Sequence, residues 1–61
     1  MTTQTKNHWT PPSREMPAQG RAIDWMDSGG NIVYGGFVRG RLWFLPDGVY
    51  VYYTPTFWRY A

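Results

Sequence analysis

The side chains that could catalyse a reaction are few in this sequence. General acid–base catalysis needs titratable groups that converge on one substrate, and no cysteine is present to act as a nucleophile. The available acids and bases are His8, Glu15, Asp24, Asp27 and Asp47. We interpret Asp47 as a turn residue, and Asp24 and Asp27 as solvent-facing or turn-flanking residues. The sparse set predicts a non-catalytic protein without a metal or cofactor.

Arginines interleaved with aromatic residues indicate a second kind of chemistry, which is binding. Arg39 and Arg41 precede Trp43, and Arg59 follows Trp58. Proteins that bind single-stranded nucleic acid use such cations on phosphates and such rings on bases. The same residue types also form structural cation–π contacts, shield strand edges or receive a protein ligand. The net charge of +2 permits a nucleic-acid partner without requiring one.

The element that must position these residues is a β-hairpin. Two aromatic-rich segments, residues 41–45 and 49–54, flank a turn at Asp47 and Gly48. Asp-Gly between such segments is a strong hairpin signal, because glycine accepts the positive φ that a tight turn requires. If the turn has two residues, Trp43 faces Tyr52 across the hairpin.

This register sorts the hairpin side chains between two faces, because successive residues of a strand point to opposite sides. We expect the more aliphatic face to lie in the core: Leu42, Phe44, Val49, Val51 and Tyr53. We expect the other face to be exposed: Arg41, Trp43, Leu45, Tyr50, Tyr52 and Thr54. The candidate binding residues are Arg39, Arg41, Trp43, Tyr50 and Tyr52. In the alternative interpretation, Trp43 and Tyr52 are a cross-strand pair that Trp9 covers.

The rest of the chain predicts an antiparallel meander, because short apolar segments alternate with turn residues. We expect strands at residues 21–27 and 31–38. A loop at residues 28–31 would place Asp27 opposite Ile32 and Trp25 opposite Tyr34. The residues that would then share the inner face are Ile23, Trp25, Ile32 and Tyr34.

Glycine and proline residues divide the chain further. Gly35 and Gly36 inside the second strand predict a bulge or bend, and Pro55 is expected to end the fourth strand. Residues 56–60 could add an edge strand or plug one end of the sheet. Prolines between residues 11 and 17 predict extended chain with one helical turn around residues 13–16.

These elements predict an all-β fold, a small antiparallel meander of four or five strands that forms an SH3-like curled sheet or barrel. The chain has 61 residues, which is one domain, and we assign residues 9–61 to it and residues 1–8 to a flexible tail. The four tryptophans, five tyrosines and three phenylalanines predict an aromatic core. No segment is a candidate membrane span or secretion signal, so we expect a cytoplasmic protein without membrane contact.

Both ends of the domain resemble a family of small phage and prophage domains of unknown function. Residues 9–20 read Trp-Thr-Pro-Pro-Ser-Arg-Glu-Met-Pro-Ala-Gln-Gly, and residues 53–58 read Tyr-Thr-Pro-Thr-Phe-Trp. Members of the family open with Trp-x-Pro, a serine and Pro-x-x-Gly, and close with a Trp-Met-Pro-like segment. Here Pro55 precedes Trp58, which reverses the closing order, and the central Gly-x-Trp-like element is spaced more loosely, at residues 40–43. The resemblance implies a phage or prophage setting and no defined activity.

We therefore expect a binding module that contacts another protein, of host or phage origin, through the aromatic and arginine face of the hairpin. Two alternatives are single-stranded nucleic-acid binding and a structural phage component that self-assembles through an edge strand or aromatic face. The sequence leaves the partner and the oligomeric state open.

Overall fold

The computed structural model describes residues 9–61, so the predicted tail at residues 1–8, with His8, lies outside the described residues. The strands are β1 (Ile23–Met26), β2 (Ile32–Arg39), β3 (Leu42–Phe44), β4 (Tyr50–Val51) and β5 (Phe57–Tyr60). They form one antiparallel sheet in the order β4-β3-β2-β1-β5. The all-β meander is confirmed. The sheet does not close on itself, so it is a curled meander rather than a barrel.

Over residues 9–61 the backbone forms no helix that is long and apolar enough to cross a membrane.

The loop between β3 and β4 has three residues rather than the predicted two. The Leu45 N–H donates to the Val49 carbonyl oxygen (2.7 Å), and the Gly48 N–H donates to the Leu45 carbonyl oxygen (2.9 Å). Pro46, Asp47 and Gly48 therefore form the loop, with Gly48 at φ +93°. A turn followed by a glycine in the left-handed region is a common three-residue hairpin loop. The Asp47 carboxylate accepts the Val49 N–H (3.0 Å), so its predicted turn role is confirmed.

The three-residue loop shifts every cross-strand partner in this hairpin by one residue. Trp43 lies opposite Val51, and Phe44 lies opposite Tyr50. The predicted pairing of Trp43 with Tyr52 is wrong. A shift of one residue turns the side chains of one strand to the opposite side of the sheet relative to the other strand. Each of the two predicted sets, core and exposed, therefore contains residues from both sides of the sheet. Leu42 is exposed, whereas Trp43 is buried.

The loop between β1 and β2 repeats the same geometry. The Asp27 N–H donates to the Asn31 carbonyl oxygen (2.9 Å), and the Gly30 N–H donates back to the Asp27 carbonyl oxygen (3.0 Å). Trp25 lies opposite Val33, not opposite Tyr34 as predicted. Tyr34 is 62% exposed, so its assignment to the inner face is wrong. Asp27 flanks a turn, as predicted.

The core is aromatic, as predicted, and lies on one face of the sheet. Its buried residues are Ile23, Trp25, Val38, Trp43 and Trp58. The Trp25 and Trp43 rings meet edge to face, with centroids 5.7 Å apart and planes at 81°. The segment before β1 covers this face. In that segment Pro17 is buried, and the Glu15 carbonyl oxygen accepts the indole N–H of Trp58 (2.8 Å).

A bulge in β2 confirms the prediction from the glycine pair. Ile23 lies opposite Gly36 while Trp25 lies opposite Val33, so β2 has one residue more than β1 in this interval. Gly35 carries the bulge at φ +79°. A Cβ atom on Gly36 would lie 2.6 Å from the Phe44 carbonyl oxygen and would also meet the Trp25 ring. The large Trp25 side chain therefore requires glycine at position 36.

The bulge also explains Asp24, which is 8% exposed rather than solvent-facing as predicted. Its carboxylate accepts the bulge N–H of Gly35 (3.1 Å) and the Nε–H of Arg59 (3.2 Å). The Arg59 guanidinium also lies 4.3 Å from the centroid of the Trp9 ring. The structural cation–π interpretation is thus confirmed for Arg59. Trp9 lies over this arginine rather than over the hairpin.

The C-terminal segment forms an edge strand, as one of the two predictions for it stated. Thr10 bridges the outer edge of β5: its N–H donates to the Trp58 carbonyl oxygen (2.8 Å) and its carbonyl oxygen accepts the Trp58 N–H (2.9 Å). β4 ends at Val51, so the prediction that Pro55 ends this strand is wrong. Arg14 and Glu15 donate to the Pro11 carbonyl oxygen, which confirms one helical turn, slightly earlier than predicted.

Candidate binding face

A row of four aromatic side chains crosses the outer face of the sheet. Phe37 of β2 lies opposite Phe44 of β3, and Phe44 lies opposite Tyr50 of β4. Directly opposite residues point to the same side of an antiparallel sheet. The residues next to them in the sequence point to the other side of the sheet and contribute to the core. Tyr52 continues the row by its contact with Tyr50. We call these four residues the outer aromatic row.

Each ring of the outer aromatic row contacts the next one along the row. The Phe37 and Phe44 rings are stacked, with centroids 5.1 Å apart and planes within 6°. Phe44 and Tyr50 meet edge to face at 6.1 Å, and Tyr50 and Tyr52 do so at 5.1 Å. Aromatic pairs of this kind contribute about 0.5–1.5 kcal/mol each beyond the area they bury. The row is therefore an ordered surface rather than a set of independent side chains.

The exposed fraction of the side chains rises along the row from β2 to β4 and on to Tyr52. Phe37 and Phe44 are half-buried, Tyr50 is 42% exposed and Tyr52 is 91% exposed. Within residues 9–61 the Tyr52 side chain is therefore almost entirely open to solvent. The row thus combines a partly buried apolar base with two accessible tyrosines, which is a composition found at protein interfaces.

Three of the five predicted site residues belong to this outer face. Tyr50 and Tyr52 are part of the row itself. Arg39 follows Phe37 by two positions on β2, so it points to the same side, and Leu42 lies opposite it. Arg39 is exposed, and within residues 9–61 no acidic side chain forms an ion pair with it. One cation therefore lies beside the aromatic row.

The other two predicted site residues, Arg41 and Trp43, line a cleft away from the row. The cleft has a volume of about 480 Å³ and is lined by Pro12, Met16, Gln19, Gly40, Arg41, Trp43 and Thr54. Trp43 is only 4% exposed, so the expectation that its ring forms an exposed platform is wrong. The Gln19 amide and the Gly40 backbone hydrogen-bond each other (2.6 and 3.3 Å). Polar groups on this wall of the cleft already have partners within the chain.

Phe37 and Phe44 belong to the outer aromatic row but are not among the residues that the sequence pattern indicates for it. A two-residue turn would place Phe44 in the core, whereas the three-residue loop pairs it with Tyr50 on the outer face. The sequence contains a signal for the longer loop: Pro46 precedes Asp47-Gly48, and proline fixes the φ of the second position of a type I turn. With Pro46 inside the loop, Phe44 and Tyr50 become partners and share one face.

Comparisons with known proteins identify no relative of this chain. No family model matches it, and no curated protein or solved structure gives a match.

Proposed function

We propose that this chain is a non-catalytic module that binds another protein through the outer aromatic row. The observation that carries the proposal is the exposure of Tyr50 and Tyr52 beside the half-buried Phe37–Phe44 stack. Tyrosine offers a large contact area and a hydroxyl at low cost in side-chain entropy, and it is enriched at interface hot spots. The phage or prophage setting and the cytoplasmic location remain predictions.

The ring geometry favours a protein partner over single-stranded nucleic acid. Base stacking requires open ring faces on which successive bases can lie. Phe37 and Phe44 direct one face at each other, and Tyr50 meets its neighbours edge to face. Arg39 is the one cation that the sheet register places beside these rings, whereas a strand of phosphates is gripped by several. Apolar ring edges that also carry hydroxyl groups are better suited to contact a protein surface than to stack nucleic-acid bases.

A photo-cross-linking experiment tests the proposal. Benzoylphenylalanine replaces Tyr52 in one variant and Tyr34 in a control, because Tyr34 is an exposed tyrosine outside the row. In extract of the host cell we expect a polypeptide adduct from position 52 and none from position 34. Adding Tyr50→Ser to the first variant should reduce the yield of that adduct.

Two results would contradict the proposal. Equal labelling from positions 34 and 52 would show that the row has no selectivity. A nucleic-acid adduct from position 52, with a yield that falls as salt rises, would favour the alternative of single-stranded nucleic-acid binding.

A further inference from the structure

The cleft beside Arg41 has apolar walls. Pro12, Met16 and Trp43 supply them, and the Met16 side chain is 39% exposed. The volume of the cleft, about 480 Å³, lies within the range of about 300–1,000 Å³ that ligand sites commonly have. An exposed methionine beside a tryptophan provides apolar surface that a ligand can remove from water. The cleft can therefore hold a small apolar group.

The Arg41 guanidinium brings a positive charge to this lining. Arg41 is exposed, and within residues 9–61 no carboxylate forms an ion pair with it. The backbone of its neighbour Gly40 already has partners, because the Gln19 amide oxygen accepts the Gly40 N–H (2.6 Å) and the Gln19 amide nitrogen donates to the Gly40 carbonyl oxygen (3.3 Å). These two bonds fix the turn that carries Arg41. Thr54 adds a hydroxyl-bearing residue to the lining. A ligand in the cleft thus meets a cation and a hydroxyl between apolar walls.

The charges around the cleft favour an anion. Arg39 and Arg41 lie at the turn between β2 and β3, at one end of the sheet. Asp27 and Asp47 lie in the loops at the opposite end, because successive strands of the meander are antiparallel. Glu15 belongs to the segment that covers the core, but none of the described residues that line the cleft is acidic. The cleft is therefore electropositive, and an uncompensated cation attracts a carboxylate.

We propose that this cleft binds an apolar monocarboxylate. The carboxylate pairs with the Arg41 guanidinium, whose planar fork of N–H groups matches the two carboxylate oxygens. The apolar body of the ligand packs against Met16 and the exposed part of Trp43, where it leaves water. Arg41 alone balances a single negative charge. A phosphate group carries more charge at neutral pH and is held by several donors, so a carboxylate suits the lining better.

Two sources supply this chemistry: a free small acid, and the last residue of a polypeptide that ends on an apolar side chain. The cleft is independent of the outer aromatic row, because Trp43 and Phe44 are successive residues of β3 and point to opposite sides of the sheet. The site can therefore be tested without the partner of the row, and the two proposals can fail separately.

A chemical-shift titration of the full, isotope-labelled chain tests the site. The probes are N-acetyl-leucine, its uncharged amide N-acetyl-leucinamide, and acetate, which has the charge without the apolar body. We expect N-acetyl-leucine to bind with a dissociation constant of about 1 mM. It should shift the Gly40 backbone signal and the Trp43 indole N–H signal and leave Gly30, at the opposite end of the sheet, unchanged. The amide and acetate should each bind at least about tenfold more weakly.

A pair of arginine variants tests the role of the cation. Arg41→Gln should weaken the binding of N-acetyl-leucine by at least about tenfold, because it removes the charge and its paired hydrogen bonds. Arg14→Gln is the matched control, since Arg14 is also exposed but does not line the cleft, and it should leave the affinity unchanged. Both changes are at exposed side chains, so both variants should keep the fold, which their spectra verify.

The tripeptide acetyl-Ala-Ala-Leu distinguishes the two sources, because it presents the same last residue at the end of a peptide chain. Binding at least about threefold tighter than that of N-acetyl-leucine would assign the cleft to a polypeptide C-terminus, and equal or weaker binding would assign it to a free small acid. The proposal is overturned by equal affinity for N-acetyl-leucine and its amide, by equal effects of Arg41→Gln and Arg14→Gln, or by shifts as large at Gly30 as at Gly40.

Discussion

Gly30 and Gly48 occupy the same position in two hairpin loops of identical hydrogen bonding. Each is the third loop residue, with φ +86° and +93° respectively. Each donates its N–H to the carbonyl oxygen three residues earlier (3.0 and 2.9 Å). These loops set the register of both hairpins, and the register decides which rings are buried and which form the outer aromatic row.

Substitution of Gly48 tests this role directly. Nothing lies within 4 Å of a Cβ atom placed there, so Gly48→Ala acts through the backbone alone. We expect a loss of about 1–2 kcal/mol in the free energy of unfolding, because alanine is disfavoured in the left-handed region. Gly48→Asn is the matched control and should lose less, because asparagine tolerates this conformation. Urea denaturation monitored by tryptophan fluorescence measures both. Equal losses for alanine and asparagine would contradict the explanation.

The existence of the strands could be predicted from the sequence more easily than their register. Alternating apolar residues and turn glycines are local signals, and they indicated the meander, the bulge at Gly35 and the edge strand before Ala61. The register depends on whether a loop has two, three or four residues, and a difference of one residue moved Trp43 into the core and Phe44 out of it. The Asp-Gly pair alone does not distinguish these loops, whereas Pro46 directly before it favours the three-residue loop.

Other features depend on contacts between distant parts of the chain. β4 is shorter than expected, and beyond it the Tyr53 hydroxyl accepts the indole N–H of Trp25 (3.2 Å). Asp24 is buried because the bulge presents a backbone N–H to it. Neither partner is close in sequence, so no periodicity or turn signal could have indicated them.

The Asp24 carboxylate should be important for stability because it holds the bulge N–H and Arg59 together. Asp24→Ala leaves the Gly35 N–H without its acceptor, which costs about 1–3 kcal/mol for a buried donor. Asp24→Asn keeps an oxygen acceptor and should cost less. Denaturation of both variants, and of each combined with Arg59→Ala, separates the two contacts in a double-mutant cycle. If Ala and Asn are equally destabilising, the Gly35 hydrogen bond has no role.

Asp27 should make stability depend on pH at the acidic end. The Asn31 backbone N–H is the main cause that holds the pKa of Asp27 below its ordinary value of 3.8. A lowered folded-state pKa stabilises the fold fully above the ordinary pKa, and this stabilisation is lost as the pH falls through the folded-state pKa. Asp27→Asn should therefore be less stable than the unmodified chain at pH 7. The difference should shrink below pH 3.8. Denaturation curves at several pH values measure it, and a difference independent of pH would exclude this linkage.

Trp43 and Tyr52 should respond in opposite ways to truncation, because one is a core ring and the other is a surface ring. Trp43→Ala removes the partner of Trp25 and leaves a cavity, at a cost of about 3–5 kcal/mol. A domain of this size has a total stability of about 3–9 kcal/mol, so most or all of the fold is lost. Tyr52→Ala leaves no cavity and should change stability by less than about 0.5 kcal/mol. Thermal unfolding by circular dichroism compares the two. If Tyr52→Ala unfolded the chain while Trp43→Ala did not, the observed register would be wrong, and so would the outer aromatic row that depends on it.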